Sequence, residues 1–215
     1  MTSSARPRQE ADPAIDAAVL DDLVRRTQRG ELAAFNSLVL RYQDALYSLV
    51  ARMLTDRAAA EDVTQEAFVA AWRNIGTFRG GSFRAWLFTI AANRARDELR
   101  RRVRRPTTSL DAARDDPDRA DLDPPDRDPT PEGVAEQTEM RAALEVALRE
   151  LPDDWREVVV LSDIHGLDYA EIAQATGVAV GTVKSRLSRA RARLRDIVLA
   201  SRELTDAAQR LNDRR

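Results

Sequence analysis

The chain has 215 residues, 34 of them basic and 36 acidic, for a net charge of −2. It has no cysteine and a single histidine, His165, which excludes disulfides, thiolate or His-rich metal sites and cysteine nucleophiles. Apolar residues make up 43% but aromatics only 5%, so a core must be built from Leu, Val, Ile and Ala. No alternating runs of β-branched residues occur, so the expected fold class is all-α. Lys184 is the one lysine. That bias is of the kind a GC-rich genome produces, so the placement of arginine informs more than its abundance.

Residues 1–16 are polar and lack the apolar stretch of a signal peptide, and no segment approaches the ~20 apolar residues of a membrane span. A cytoplasmic protein with no membrane insertion is expected. Leu32, Phe35, Leu38, Val39, Tyr42, Leu46, Leu49 and Met53 recur every three or four positions, which predicts one apolar stripe on a long helix. A second helix, at about 57–75, turns Val63, Ala67, Ala70 and Ala71 inward. It leaves Glu61, Asp62, Gln65 and Glu66 outward, where a basic partner or, much less readily, a metal could dock. Gly76, Gly80 and Gly81 mark a loop, after which Ser82 can cap a third helix with core residues Phe83, Trp86, Leu87 and Ile90. That helix runs into residues 93–105, with seven arginines against two acids. Basic side chains beside aromatics suit single-stranded nucleic acid. A solvated basic face is the competing reading.

Six of the nine prolines fall between Pro106 and Pro131, and residues 106–133 carry nine acids against three arginines. Such a segment buries too little to offset its ordering entropy, so a flexible acidic linker is expected, either an inert tether or a strand for a basic channel. Beyond it, Met140, Leu144, Ala147, Leu148 and Leu151 stripe one helix, and Pro152 opens another with Trp155, Val158, Val159 and Leu161 as core. His165 beside Gly166 reads as a surface or turn residue. Asp168 and Glu171 then form a capping-box pair, Gly177 supplies a left-handed turn, and a last helix opens near Val180. Its apolar positions Val183, Leu187, Ala190, Leu194 and Val198 turn Lys184, Ser185, Ser188 and Arg189 outward, near the helix N-terminus. From Val178 to Arg195 there are six basic residues and no acid. In a helix-turn-helix that end enters the major groove, where Lys and Arg pair with guanine edges and Ser takes base or phosphate. Arg186, Arg191, Arg193 and Arg195 suit phosphates.

Four blocks in order, GELAAFNSLVLRY at 30–42, EDVTQEAFVAAW at 61–72, SFRAWLFTIAANRARD at 82–97 and VGTVKSRLSRAR at 180–191, resemble the sigma-70 family, extracytoplasmic-function (ECF) group. The resemblance implies two small helical domains joined by a flexible acidic Pro-rich linker, the C-terminal one a helix-turn-helix. In that division residues 1–18 are a disordered tail, 19–105 the region 2 domain, 106–135 the linker, 136–200 the region 4 domain and 201–215 a tail. It further implies a promoter-specificity subunit, not an enzyme, with no cofactor, no metal and no small-molecule substrate. The partners would be core RNA polymerase (the β′ clamp helices and the β subunit), promoter DNA and an anti-sigma factor. Asp62, Gln65 and Glu66 would dock on polymerase. Ser82, Phe83, Asn93, Arg94, Arg96, Asp97 and Arg100 would take the −10 element, and Thr182, Lys184, Ser185, Arg186, Ser188 and Arg189 the −35 element. The loop at 78–83 is one residue shorter than in many members, and Ser188 replaces a bulky residue found in some. Base preferences therefore do not carry over. Two other readings stay open on the residues alone. One is a regulator binding duplex DNA without polymerase; the other is a nuclease using the carboxylates at 61–66.

Overall fold

The computed structural model describes residues 17–54, 56–104 and 131–212, with the backbone alone for 131–139 and 201–212. Residues 1–16 of the expected N-terminal tail and residues 106–130 of the expected linker lie outside the described residues. Among those described, every regular element is helical. The first half comprises α1 (Ala17–Gln28), α2 (Leu32–Leu54), α3 (Arg57–Asn74), a 3-10 turn (Ile75–Thr77) and α4 (Phe83–Arg104). The second half comprises α5 (Pro131–Arg149), α6 (Asp153–Val159), α7 (Tyr169–Thr176) and α8 (Val180–Asn212). A wide π turn, Val160–Ile164, follows α6.

Local chemistry sets the boundaries. Gly30 takes φ +87°, ends α1, and lets the chain reverse into α2. Asp56 caps α3 by accepting a hydrogen bond from the Ala59 N–H. Pro131 opens α5 at the first helical position, where a missing N–H costs nothing, so the helix begins before the expected linker end at 135. Likewise α8 continues to Asn212, through most of the expected C-terminal tail.

Helix α2 is the hub of the first half and packs against α1, α3 and α4. Phe35, Leu38, Tyr42, Leu46, Leu49 and Met53 are buried, as the stripe requires. Leu32, in the same register, is 59% exposed because it starts the helix beyond the reach of its neighbours. In the second half α8 packs on α5, α6 and α7. Only the last turns of α5 are covered: Ala147 and Leu148 are buried, whereas the expected core residues Met140 and Leu144 are exposed. The two halves share one continuous core, joined where α4 meets α7 and where α2 meets α5 and α6.

Two arginines fasten that junction. Arg156, 8% exposed, donates to the carbonyls of Leu148 (2.8 Å), Arg149 (3.0 Å) and Leu151 (2.9 Å) at the end of α5, and to Met53 (3.0 Å) in the last turn of α2. These carbonyls have no partner within their own helices, so one guanidinium satisfies two helix ends at once. Burial lowers its pKa, partly offset by Asp153. Arg52 of α2 pairs with Glu145 of α5 at 2.8 Å.

Candidate nucleic-acid interface

The outward face of α8 is fixed by the turn before it. Asp168 Oδ1 accepts from Ala170 N (2.7 Å) and Glu171 N (2.8 Å), and Glu171 Oε2 accepts from Asp168 N (2.9 Å), closing the capping box. Gly177, at φ +71° and ψ +20°, ends α7, and its N–H reaches the Ala173 carbonyl at 2.9 Å. Val183, Leu187, Ala190 and Leu194 are buried against the rest of the second half. Thr182, Lys184, Ser185, Ser188 and Arg189 therefore stand exposed on the opposite side. Lys184 Nζ lies 5.7 Å from the Tyr169 ring centroid, and both line a shallow depression with Ser188, Arg191 and Arg195.

Two of the expected phosphate ligands are already engaged. Arg186 is partly buried and pairs with Asp154 of α6. Arg191 pairs with Asp163 of the π turn, Nε to Oδ2 at 2.8 Å, and that bond raises its pKa. Both brace α8 rather than project from it.

The loop before α4 is held from below. Gln28 Nε2 donates to the carbonyls of Ile75 (3.2 Å) and Phe78 (2.9 Å). Gly80 and Gly81 take φ +102° and +88°, and Ser82 Oγ caps α4 by accepting from Ala85 N at 3.0 Å. Phe83 is only 3% exposed and packs among Tyr42, Phe78 and Trp86 with ring centroids 5.6–5.8 Å apart. Expected as a −10 contact, it is instead part of the core, because its helical register points it at α2. Phe78 and Trp86 are the partly buried members of that cluster.

Farther along α4, Asn93, Arg94, Asp97 and Arg100 are exposed on one side. Arg101 and Arg102 grip Glu98 at 2.7 and 3.0 Å, and Arg102 also reaches Asp56 at 2.7 Å. These bonds hold the Glu98 carboxyl below its usual range, the Arg101 hydrogen bond contributing most. Arg96 departs from the row. Its Nη2 donates to the Ala175 carbonyl at 2.5 Å and to Asn93 Oδ1, and its Nη1 donates to the Thr176 carbonyl at 3.2 Å. Its Nε lies 3.2 Å from Glu157 Oε1, an ion pair without hydrogen-bond alignment.

On α3, Asp62, Gln65 and Glu66 are exposed together, opposite buried Val63, Ala67, Ala70 and Ala71. Asp62 and Glu66 act electrostatically on Arg101 of α4, so the acidic and basic faces adjoin. Among the described residues no group of three or more His, Asp or Glu side chains is arranged to hold a metal.

Three functional positions escape sequence reasoning. His165 is 5% exposed, a buried turn residue whose ring lies edge-on, 5.0 Å from Phe88 of α4. Burial and nearby Arg84 and Arg52 lower its pKa to about 3, so it is neutral. Glu157 is buried and pushed up to about 7, chiefly by desolvation, against the pull of Arg96. Arg156 reads in sequence as one more arginine. The one available signal is a charged pair, Arg156-Glu157, set at core spacing among Trp155, Val158 and Val159.

The models for sigma-70 region 2 and sigma-70 region 4 match residues 38–105 and 141–194. The RNA polymerase sigma-H factor of Pseudomonas aeruginosa is 41% identical over 171 residues, 79% of this chain and 88% of that protein. The ECF RNA polymerase sigma-E factor of Escherichia coli K12 is 39% identical over 170 residues, with the same coverage of 79% and 88%. Among solved structures, CnrH in complex with the cytosolic domain of CnrY superposes with a TM-score of 0.60 at 29% identity, over 85% of this chain and 98% of CnrH. The sigma factor RpoE of Bartonella quintana, solved with the anti-sigma factor NepR, gives 0.59 at 28% identity, over 76% of this chain and 96% of RpoE.

Proposed function

Since the chain belongs to the extracytoplasmic-function group of the sigma-70 family, we propose that it grips a promoter at two points for core RNA polymerase. In this reading α8 holds the −35 element as duplex, with Lys184, Ser185, Ser188 and Arg189 at base edges and Thr182 at phosphate. Arg186 supports the helix from its pair with Asp154. The face of α4 bearing Asn93, Arg94, Asp97 and Arg100, with Arg96 at its edge, takes the −10 strand. The loop ending at Ser82 receives an unpaired base. Extruding that base costs about a few kcal/mol, so only a segment that unstacks readily is captured. Asp62, Gln65 and Glu66 on α3 dock on the β′ clamp helices, and the β subunit lies along the rest of the chain. Residues 19–105 and 136–200 act as the two binding domains, and the acidic segment at 106–135 joins them inside polymerase.

The observation that carries this reading is the exposed row on α8, locked in register by the Asp168 capping box and Gly177. A regulator working without polymerase would need that row alone and gives no reason for the α3 and α4 faces. The chain performs no catalysis of its own, acts in the cytoplasm where polymerase works, and is an alternative factor restrained by an anti-sigma partner. The NepR complex of the Bartonella relative supports that restraint. The test is reconstitution. Purified chain with core polymerase should form holoenzyme and start transcripts at a distinct promoter class, and Asp62→Ala should impair holoenzyme formation. Failure of the wild-type chain to bind core polymerase in that mixture would overturn the proposal.

A further inference from the structure

The bonds of Arg96 run the wrong way for a strand-binding residue. Its guanidinium is spent on the second half of the chain: the last carbonyls of α7 and the buried carboxyl of Glu157. Those carbonyls form the electronegative end of a helix, lacking partners within it. Two carbonyl oxygens and a carboxylate present an Arg with what a phosphate presents: several acceptors carrying negative charge. Around this contact α4 is lined with small residues. Ala91, Ala92 and Ala95 are fully buried, and Ala175 of α7 is 1% exposed. The helices therefore meet closely, and no polynucleotide fits between them. Phe88 against His165 and Arg52 with Glu145 extend the junction on either side.

We propose that the C-terminal end of α7, with Glu157, is an intramolecular competitor for the α4 nucleic-acid face, so that the packed arrangement is a self-masked form. The chain must part at the α4–α7 junction before it can hold a −10 strand. This rests on the assignment of α4 as the −10 face. Length supports it independently. Elements named −10 and −35 lie about 25 base pairs apart, roughly 85 Å of B-DNA at ~3.4 Å per pair. A compact chain of this size has a radius of gyration of only about 17 Å. The 26 residues between Arg104 and Pro131 can reach up to about 90 Å when extended, so the halves can separate without unfolding either.

The chain has no cysteine, so nitroxides on Leu40→Cys and Leu199→Cys, at exposed positions on α2 and α8, report one distance between the halves. Pulsed EPR on the full chain should give a single narrow distribution. In Glu157→Arg, which sets a like charge against Arg96, it should broaden to longer distances while helicity by circular dichroism is kept. Glu145→Arg, at the less buried rim, is the second opening variant should the first fail to fold. Affinity for a fluorescent mixed-sequence 12-nucleotide single strand is read by anisotropy. It should rise at least about tenfold on opening, if fewer than about one chain in ten is open at rest. Glu150→Arg, an exposed site with the same charge change, should not reproduce that gain. A wild-type chain already spread over long distances, or opened variants that bind the strand no better, would overturn self-masking. Placing Arg94→Ala and Arg100→Ala in the opened chain separates the two assignments. If strand binding survives both, the −10 assignment fails and the masking proposal with it. If they abolish binding while opening gives no gain, only masking fails.

Discussion

Helices α4 and α8 are both long, arginine-rich and striped with alanine and leucine, yet their charges are deployed in opposite ways. On α8 the residues nearest the N-terminus face solvent. The arginines that do pair, Arg186 and Arg191, pair with acids of the same half and so stiffen the reading face. On α4 the pairing reaches across the molecule: Arg96 holds α7 and Glu157, while Arg101 and Arg102 close on Glu98. One helix is presented and the other is held. Composition alone does not separate the two states, because the difference lies in which partners the fold brings alongside.

The sharpest way to break this contrast is at the junction. Arg156→Met removes the donor for four carbonyls at the ends of α5 and α2. It should cost about 3 kcal/mol or more of stability in urea unfolding, since charged hydrogen bonds are worth about 1.5–3 kcal/mol each and orphaned buried acceptors add to the loss. A loss under about 1 kcal/mol would mean that the two halves do not depend on that guanidinium. Next comes the presented helix. Arg189→Ala should weaken binding to a −35 duplex by about 1–3 kcal/mol if it reads a base. An equal loss on every sequence would reassign Arg189 to phosphate.

Smaller effects test the mount of α8. Gly177→Ala meets no atom within 4 Å, so its whole cost is the left-handed backbone, about 1–2 kcal/mol. Asp168→Ala should cost about 1 kcal/mol through the lost cap. Either change should lower thermal stability more than it changes sequence preference. The smallest expected effect is a pH slope. Glu157 holds its proton up to about pH 7 in the fold but titrates near 4.5 when unfolded. The unfolded chain therefore releases protons first, and stability should fall as pH rises from about 5 through 7. Glu157→Gln should flatten that slope relative to the wild-type chain. A slope unchanged by the substitution would place the carboxyl in water.

The capping box, the turn at Gly177 and the spacing of Val183, Leu187, Ala190 and Leu194 were legible in the sequence because each is a local rule over a few residues. The outward positions of Asp62, Gln65 and Glu66 followed from the same periodicity. What escaped was set by distant partners. Arg156 caps a helix a hundred positions away, Arg96 reaches α7, and His165 is buried only because Phe88 covers it. Phe83 lies between: its spacing with Leu87 marks it as core, and the resemblance alone placed it on the DNA.

The two-point grip is tested most directly by footprinting the reconstituted holoenzyme on a promoter found by mapping its transcript starts. Expected is protection of the −35 duplex together with unpaired, reactive bases at −10. Lys184→Ala with Arg189→Ala should remove the first, and Asn93→Ala with Arg100→Ala the second. Protection of duplex by the chain alone, undiminished without polymerase and with no unpaired bases, would contradict it.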